Sequence, residues 1–489
     1  MFLGLDIGTS GVKAVLIDER QRLVDQASAP LEVSRPHPLW SEQDPEDWWR
    51  AVETAMAELR GRQADALGAV AGIGLSGQMH GATLLDSADR VLRPAILWND
   101  GRSGPQCGEL ERREPRSRKI TGNLAMPGFT APKLIWVAES EPEVFSKIAK
   151  VLLPKDYVRL RMTGEHASDM SDSAGTLWLD VAGRAWSPEM LAATGLSEAQ
   201  MPALFEGSQP TGTLLKDVAR AWGVPETAVV AGGAGDNAAG AAGVGVVSPG
   251  AAFLSLGTSG VFFVANEGFR PNPEEAVHAF CHCLPGTWHQ MSVILSAASC
   301  LTWVTKVTAG ANEAALMAEA GQADRETGEL IFLPYLSGER TPHNDPKAMG
   351  VFFGLTHDTN RADVVRAVLE GVGFALADGQ DALAAAGTEI ADVSVIGGGA
   401  RSPFWGRILA NVLGRPLLYH SGGDVGPAFG AARLGRLAAT GEDPAAVCTR
   451  PPVDFTVQPD AAKAERYRAK HQRYRELYRT LAPMFAARD

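Results

Sequence analysis

Two aspartates stand where this sequence could act on a phosphate. Asp6 lies two residues ahead of Gly8 in FLGLDIGTSGVKAVLI, and Asp236 sits in GGAGDNAAGAAG, directly after an apolar run. A carboxylate beside a polyphosphate makes chemical sense with Mg²⁺ between them, reached through water, because Mg²⁺ gives up its waters reluctantly. Asp236 precedes an Ala-rich run that reads as a helix, whose N-terminus carries partial positive charge. It can cap that helix, and it can equally accept the proton of a hydroxyl attacking a γ-phosphate. Around Asp6, Gly8 and Gly11 let backbone N–H groups approach an anion, and Thr9 and Ser10 add hydroxyl donors.

The first stretch has an echo. Phe253 to Val264 reads FLSLGTSGVFFV, which sets Leu5 opposite Leu254, Asp6 opposite Ser255, Gly8 opposite Gly257 and Thr9 opposite Thr258. Each copy is an apolar run, a Gly-Thr-Ser-Gly turn and a second apolar run, the pattern of a β-hairpin. One such hairpin would be an ordinary tight turn. Two near-copies, about half of the 489 residues apart, imply two similar domains with a phosphate-bearing ligand held between their turns. Serine in the second copy fits a site needing one metal-facing carboxylate, since a second would repel the nucleotide.

The elements that must position these groups can be read locally. The first hairpin leads to a third strand near 23–29, then to a helix from Pro45 to about Leu59 with Asp44 as N-cap. A strand over 70–75 ends in SGQMHG, placing Met79 and His80 where strand ends line a crevice. Strand 228–231 feeds Asp236, and the VSPG stretch near 246–250 punctuates the chain before the second hairpin. Further on, a strand over 392–396 ends in GGGARS, with helices expected over 362–385, 403–413 and from Ala461 onward. Gly398 and Gly399 leave room for a flat ring, although such a run also makes an ordinary strand-to-helix turn. Neither a GxGxxG unit with its later acidic residue nor GxxxxGK[ST] occurs, so a bound ATP is expected to sit in the actin-like way.

Composition narrows the partners. A net charge of −12 argues against nucleic acid and anionic membranes, leaving backbone N–H groups, helix N-termini and a metal to hold an anionic substrate. Five cysteines with no CxxC pair suggest reduced thiols in a cytoplasm. In AFCHCL the alternation predicts a strand with one thiol buried, rather than a metal site. No signal peptide fits the first residues, and the most apolar region, 238–264, is too punctuated to span a membrane.

Taken together, GLDIGTSGVKAVLID, GQMHGATLLD, RPAILWNDGR, LLPKDY, GGAGDNAAGA, SLGTSGV, FLPYLSGERTPHNDP, GVFFGLTHDTNRADVVRAVLEGV, IGGGARSPFW and GGDVGPAFGAARLG resemble the FGGY carbohydrate kinases over nearly the whole chain. The resemblance implies an α/β fold of two ribonuclease-H-like, actin-like domains flanking a cleft. Residues 1–245 would carry the sugar and metal side, and 246–489 the nucleotide side with a C-terminal helix. It further implies ATP with Mg²⁺, transfer of the γ-phosphate to the 5-hydroxyl of D-xylulose, which GQMHG favours among the family's sugars, and a homodimer. By the same resemblance Asp236 is the proton acceptor, with no unusual pKa needed, and Asp6 the metal-facing carboxylate. Met79, His80, Asp236 and Asn237 are sugar contacts, Thr9, Ser10, Gly257 and Thr258 phosphate-loop residues, and Gly398, Gly399 and Ala400 adenosine contacts. Trp98, Asp100 and Arg102 resemble a sugar-side motif.

Overall fold

The computed structural model describes residues 1–322, 328–397, 402–420 and 426–487. Its core is a pair of similarly ordered sheets. The first holds β1 (Phe2–Ile7), β2 (Gly11–Ile17), β3 (Leu23–Pro30), β4 (Gly72–Gly77), β5 (Pro210–Thr213), β6 (Val229–Ala231) and β7 (Ala234–Gly235). The order is β5-β6-β4-β1-β2-β3, with β7 also pairing β4. The second holds β8 (Ala251–Leu256), β9 (Gly260–Asn266), β10 (His278–Cys281), β11 (Trp288–Ile294), β12 (Asp392–Ile396), β13 (Leu417–His420) and β14 (Val453–Val457), in the order β10-β11-β9-β8-β12-β13-β14. Apart from the extra edge strand β10, the two sheets share one pattern: three antiparallel strands, two parallel additions, and an antiparallel edge.

Helix α1 (Pro45–Leu67) starts where Asp44 accepts the Glu46 N–H at 3.0 Å and proline opens the first turn. It runs on past the expected Leu59, because Trp48, Val52, Ala55, Met56 and Leu59 recur at helical spacing on its buried face and Leu67 continues the burial. Helix α2 (Asp236–Val244) leaves the end of β7, and α3 (Ala298–Val307) follows the second hairpin. After α4 (Arg361–Ala385), helix α5 (Pro427–Thr440) crosses back onto the first sheet. That contact demands glycine: a Cβ on Gly4 or Gly74 would land on the carbonyl oxygens of Ala428 or Ala431, and one on Gly430 would strike Ala239 of α2. Arg433 locks the crossing by donating to the carbonyls of Ala242 (2.8 Å) and Gly243 (3.1 Å) at the negative end of α2. Helix α6 (Ala461–Ala486) packs its Tyr474 and Phe485 against the second core.

The CxC stretch differs in detail from its expectation. Strand β10 ends at Cys281, so Cys283 lies beyond it, yet both thiols are buried and free. The alternation stops with the strand, and the turn that follows folds under Phe263 and His289 rather than outward. No helix among the described residues is long and apolar enough to cross a membrane.

Candidate active site

Register carries the two aspartates to one place. Asp6 pairs with Ser76 across β1 and β4, and Ser76 pairs with Ala234 across β4 and β7, two residues before Asp236 opens α2. Two strand spacings, about 10 Å, therefore separate the strand ends that deliver them. Burial pushes the Asp6 carboxyl up to about 6, against the pull of neighbouring Ser76 and Lys13. Asp236 is pushed up to about 7 by burial and by the negative charge of Asp6. This departs from the ordinary pKa expected of Asp236; the main cause is burial of its carboxyl, and the Asp6 charge adds to it. Asn237 works the other way, donating its backbone N–H (2.7 Å) and its side-chain amide (2.9 Å) to Asp236 Oδ1.

The Asp6 Oδ1 atom is sealed from solvent without a hydrogen-bond partner. Among the described residues no group of three or more His, Cys, Asp or Glu side chains could cage a metal. One orphaned carboxylate oxygen facing another carboxylate fits Mg²⁺ held largely by water and phosphate oxygens, the ion's habitual mode beside nucleotides.

Where a sugar contact is expected, His80 takes a left-handed backbone (φ 70°), held by Thr130 (3.1 Å) and the buried Lys133 ammonium (2.9 Å), both donating to its carbonyl. Its Nδ1 meets the Gly175 carbonyl at 2.6 Å. A carbonyl only accepts, so Nδ1 carries the proton and Nε2 is left as an acceptor. Burial and the Lys133 charge hold the ring down at about 3, hence neutral. Met79 is buried between Gly175 and Gly235, where any Cβ would strike its thioether end. Trp98 stands half exposed, but Asp100 and Arg102 spend their charges on one another and on Ser41 and Glu42, with the Arg102 guanidinium 3.6 Å over Trp40. They shape the wall instead of lining it.

The first Gly-Thr-Ser-Gly turn is tied down by side chains. Thr9 Oγ1 donates to Gln78 Oε1 (2.9 Å) and accepts from the Trp98 indole (2.9 Å). Gln78 donates to Gln43 (2.8 Å), which donates to the Thr9 carbonyl (2.8 Å). The single hydroxyl proton of Thr9 is thus already committed, whereas the sequence reading has it free for phosphate. Ser10 is exposed at the tip. In the second turn, Gly257 and Thr258 are exposed, their carbonyls accepting backbone N–H groups of Ala298 (2.9 Å) and Ala297 (2.9 Å) at the start of α3.

With this geometry in view, the matches to known proteins are specific. Residues 1–243 match the N-terminal domain of the FGGY family of carbohydrate kinases, and residues 252–439 match its C-terminal domain. The chain belongs to the FGGY family of carbohydrate kinases. It is 58% identical over 487 residues to the xylulose kinase of Escherichia coli K12, covering 99% of this chain and all of that one. Among solved structures, one described as a "xyloylose kinase" from Brucella ovis is 56% identical with a TM-score of 0.96, and the xylulose kinase of Rhodospirillum rubrum is 30% identical with a TM-score of 0.93. Each match covers 99% of both chains.

In this FGGY kinase the adenosine contacts expected at Gly398, Gly399 and Ala400 lie outside the described residues. Several supporting groups were not singled out by sequence reasoning. Ser171 accepts the Gly235 N–H at 3.2 Å and hands its own proton to Asp169, fixing the peptide just before Asp236. Lys155, fully buried, binds Asp156 (2.5 Å), Asp169 (2.9 Å) and Asp172 (3.3 Å) beneath it. LLPKDY carries Lys155 and Asp156 in plain sight, but nothing local marks them, with Asp169 and Asp172, as one buried cluster.

Proposed function

We propose that this kinase transfers the γ-phosphate of ATP to the 5-hydroxyl of D-xylulose, yielding D-xylulose 5-phosphate for xylose catabolism, with Asp236 as general base. The observation that carries the reading is the opposition of Asp6 and Asp236 across one strand. The full-length likeness to proteins named xylulose kinase supports the choice of sugar. Because Asn237 occupies Asp236 Oδ1, Oδ2 is the oxygen left to take the hydroxyl proton. That transfer comes late in a loose transition state, so Asp236 contributes mainly by orienting the nucleophile. His80 Nε2 accepts from a sugar hydroxyl, and Met79 gives the ring an apolar floor. The exposed Thr258 hydroxyl reaches the phosphates from the opposite half, in a turn that Gly257 closes by donating to Ser259. Asp6 would hold Mg²⁺ through water, and the ion would supply neutralisation of the charge on the transferred group. Two domains, 1–245 and 246–489, closing on the cleft would exclude water that competes for the phosphate. The net charge of −12 and the free thiols support a cytoplasmic setting, and family resemblance a homodimer.

A coupled ADP-release assay tests this with D-xylulose, L-ribulose, L-fuculose, gluconate and glycerol. D-Xylulose should give the highest kcat/KM and a 5-phosphorylated product. A faster rival sugar would reassign the substrate, and sugar binding without product would return the chain to a non-catalytic sensor.

A further inference from the structure

The loop PYLSGERTPHNDP of the C-terminal half brings one cation towards the sugar residues, and its guanidinium forms no ion pair among the described residues. The Arg340 guanidinium has a single hydrogen-bond partner among the described residues, His278 Nε2 at 3.3 Å. The carboxylate of its neighbour Glu339 acts on it by charge but bonds only to backbone, one oxygen accepting the N–H groups of Leu295 (2.9 Å) and Arg340 (2.8 Å), the other buried without a partner. The imidazole is itself fixed. His278 Nδ1 meets Asn123 Oδ1 at 3.3 Å, and the Asn123 amide donates to the carbonyls of Thr121 (2.7 Å) and Ala279 (2.9 Å). An amide oxygen only accepts, so Nδ1 holds the proton and Nε2 accepts from Arg340. The other guanidinium N–H groups have no partner among the described residues.

Those donors sit beside the aromatic residues that flank His80. Phe129 lies edge-on to both His80 (4.9 Å between ring centres) and His278 (5.5 Å), and His278 stacks on Phe280 at 5.6 Å. Arg340 and His80 thus border one aromatic wall from opposite halves. Arginine offers donors only, whereas His80 Nε2 offers an acceptor only. A carbonyl oxygen next to a hydroxyl complements that pair, and this is the C1–C2 end of a ketose.

We propose that Arg340 is a substrate-binding residue that, with His80, reads the hydroxyketone end of the sugar while Asp236 faces the 5-hydroxyl at the other. This rests on the reading of a 5-phosphorylated ketose as product. It also assigns the C-terminal half a sugar contact in addition to its nucleotide role, so that sugar binding itself favours closure of the cleft.

The test compares D-xylulose with xylitol, in which a hydroxyl replaces the carbonyl, in wild type, Arg340→Met and Arg340→Lys. Arg340→Met should raise KM for D-xylulose at least about tenfold, the loss expected for a hydrogen bond to a charged group. The preference for D-xylulose over xylitol should shrink by a similar factor, with KM for ATP unchanged and Arg340→Lys recovering part of the loss. Sugar affinity measured by calorimetry without nucleotide should follow the same order, and melting temperatures identify a variant that merely misfolds. Unchanged selectivity in a folded Arg340→Lys or Arg340→Met protein would overturn the assignment. Wild type that fails to turn over D-xylulose would instead sink the substrate reading, and this assignment with it.

Discussion

The two Gly-Thr-Ser-Gly hairpins are nearly the same sentence folded two ways. In the first, Ile7 pairs with Val12, leaving a four-residue loop closed by Gly8 donating to Gly11 at 3.0 Å. In the second, Leu256 pairs with Gly260, leaving three residues closed by Gly257 donating to Ser259 at 3.1 Å. One residue of register reverses which side of the return strand faces inward. Val12 is accordingly buried while its counterpart Val261 is half exposed, and half-exposed Lys13 answers to buried Phe262. The first turn is then braced by Gln43, Gln78 and Trp98, the second by backbone N–H groups at the start of α3. A duplicated motif has diverged into a turn whose neighbours carry carboxylates and a turn that offers spare donors.

The asymmetry is largest at the carboxylates, and removing them should have the largest effects. Asp236→Asn keeps the shape and the Asn237 contacts but cannot take a proton, so turnover should fall roughly 10²- to 10⁴-fold with sugar KM little changed. Near-normal turnover would strip Asp236 of its role. Asp6→Ser rewrites the first hairpin in the image of the second. We expect a loss of about 10² in kcat/KM, a few kcal/mol, with the Mg²⁺ titration displaced to higher concentration. An unmoved titration would mean that the Asp/Ser difference between the hairpins is incidental.

The carboxylate pair also makes a stability statement. Asp236 titrates near 7 in the folded chain against 3.8 for the free group. Between those values the folded state binds more protons than the unfolded one, so stability falls as pH rises through this window. In chelator and without nucleotide, wild type should lose melting temperature relative to Asp236→Asn between pH 5 and pH 8. Parallel curves would show that burial and the Asp6 charge do not hold the Asp236 carboxyl up in the folded chain.

Legibility followed range. Helix Pro403–Leu413 and strand Asp392–Ile396 fall where local pattern puts them, since a capping serine, a first-turn proline and an apolar alternation are short-range signals. Asp6 and Asp236 could be picked out because each stands beside glycines at a strand end. Juxtapositions across the fold could not. Nothing near Gly4 or Gly74 announces that Ala428 and Ala431 will pack on them, and nothing near Arg340 announces His278. The spent hydroxyl of Thr9 is the sharpest case: Gln78 was visible within GQMHG, but only pairing β1 with β4 brings its amide to the turn.

The smallest expected effects separate the turns most directly. Thr258 is exposed and its hydroxyl has no partner among the described residues, so Thr258→Val should cost only what that hydroxyl gives a phosphate, about tenfold in KM for ATP, with the melting temperature unchanged. Thr9→Val should do the reverse. It strands the Gln78 oxygen, buried at 2% exposure, and the Trp98 indole, a loss of about 1–3 kcal/mol that appears as a melting-temperature drop of several degrees. KM for ATP should change less than twofold, because a proton already given to Gln78 is not there for the nucleotide to lose. If both variants instead raised KM for ATP equally and left the melting temperature alone, the register difference would have no chemical consequence, and the hairpins would be the functional equals their sequences suggest.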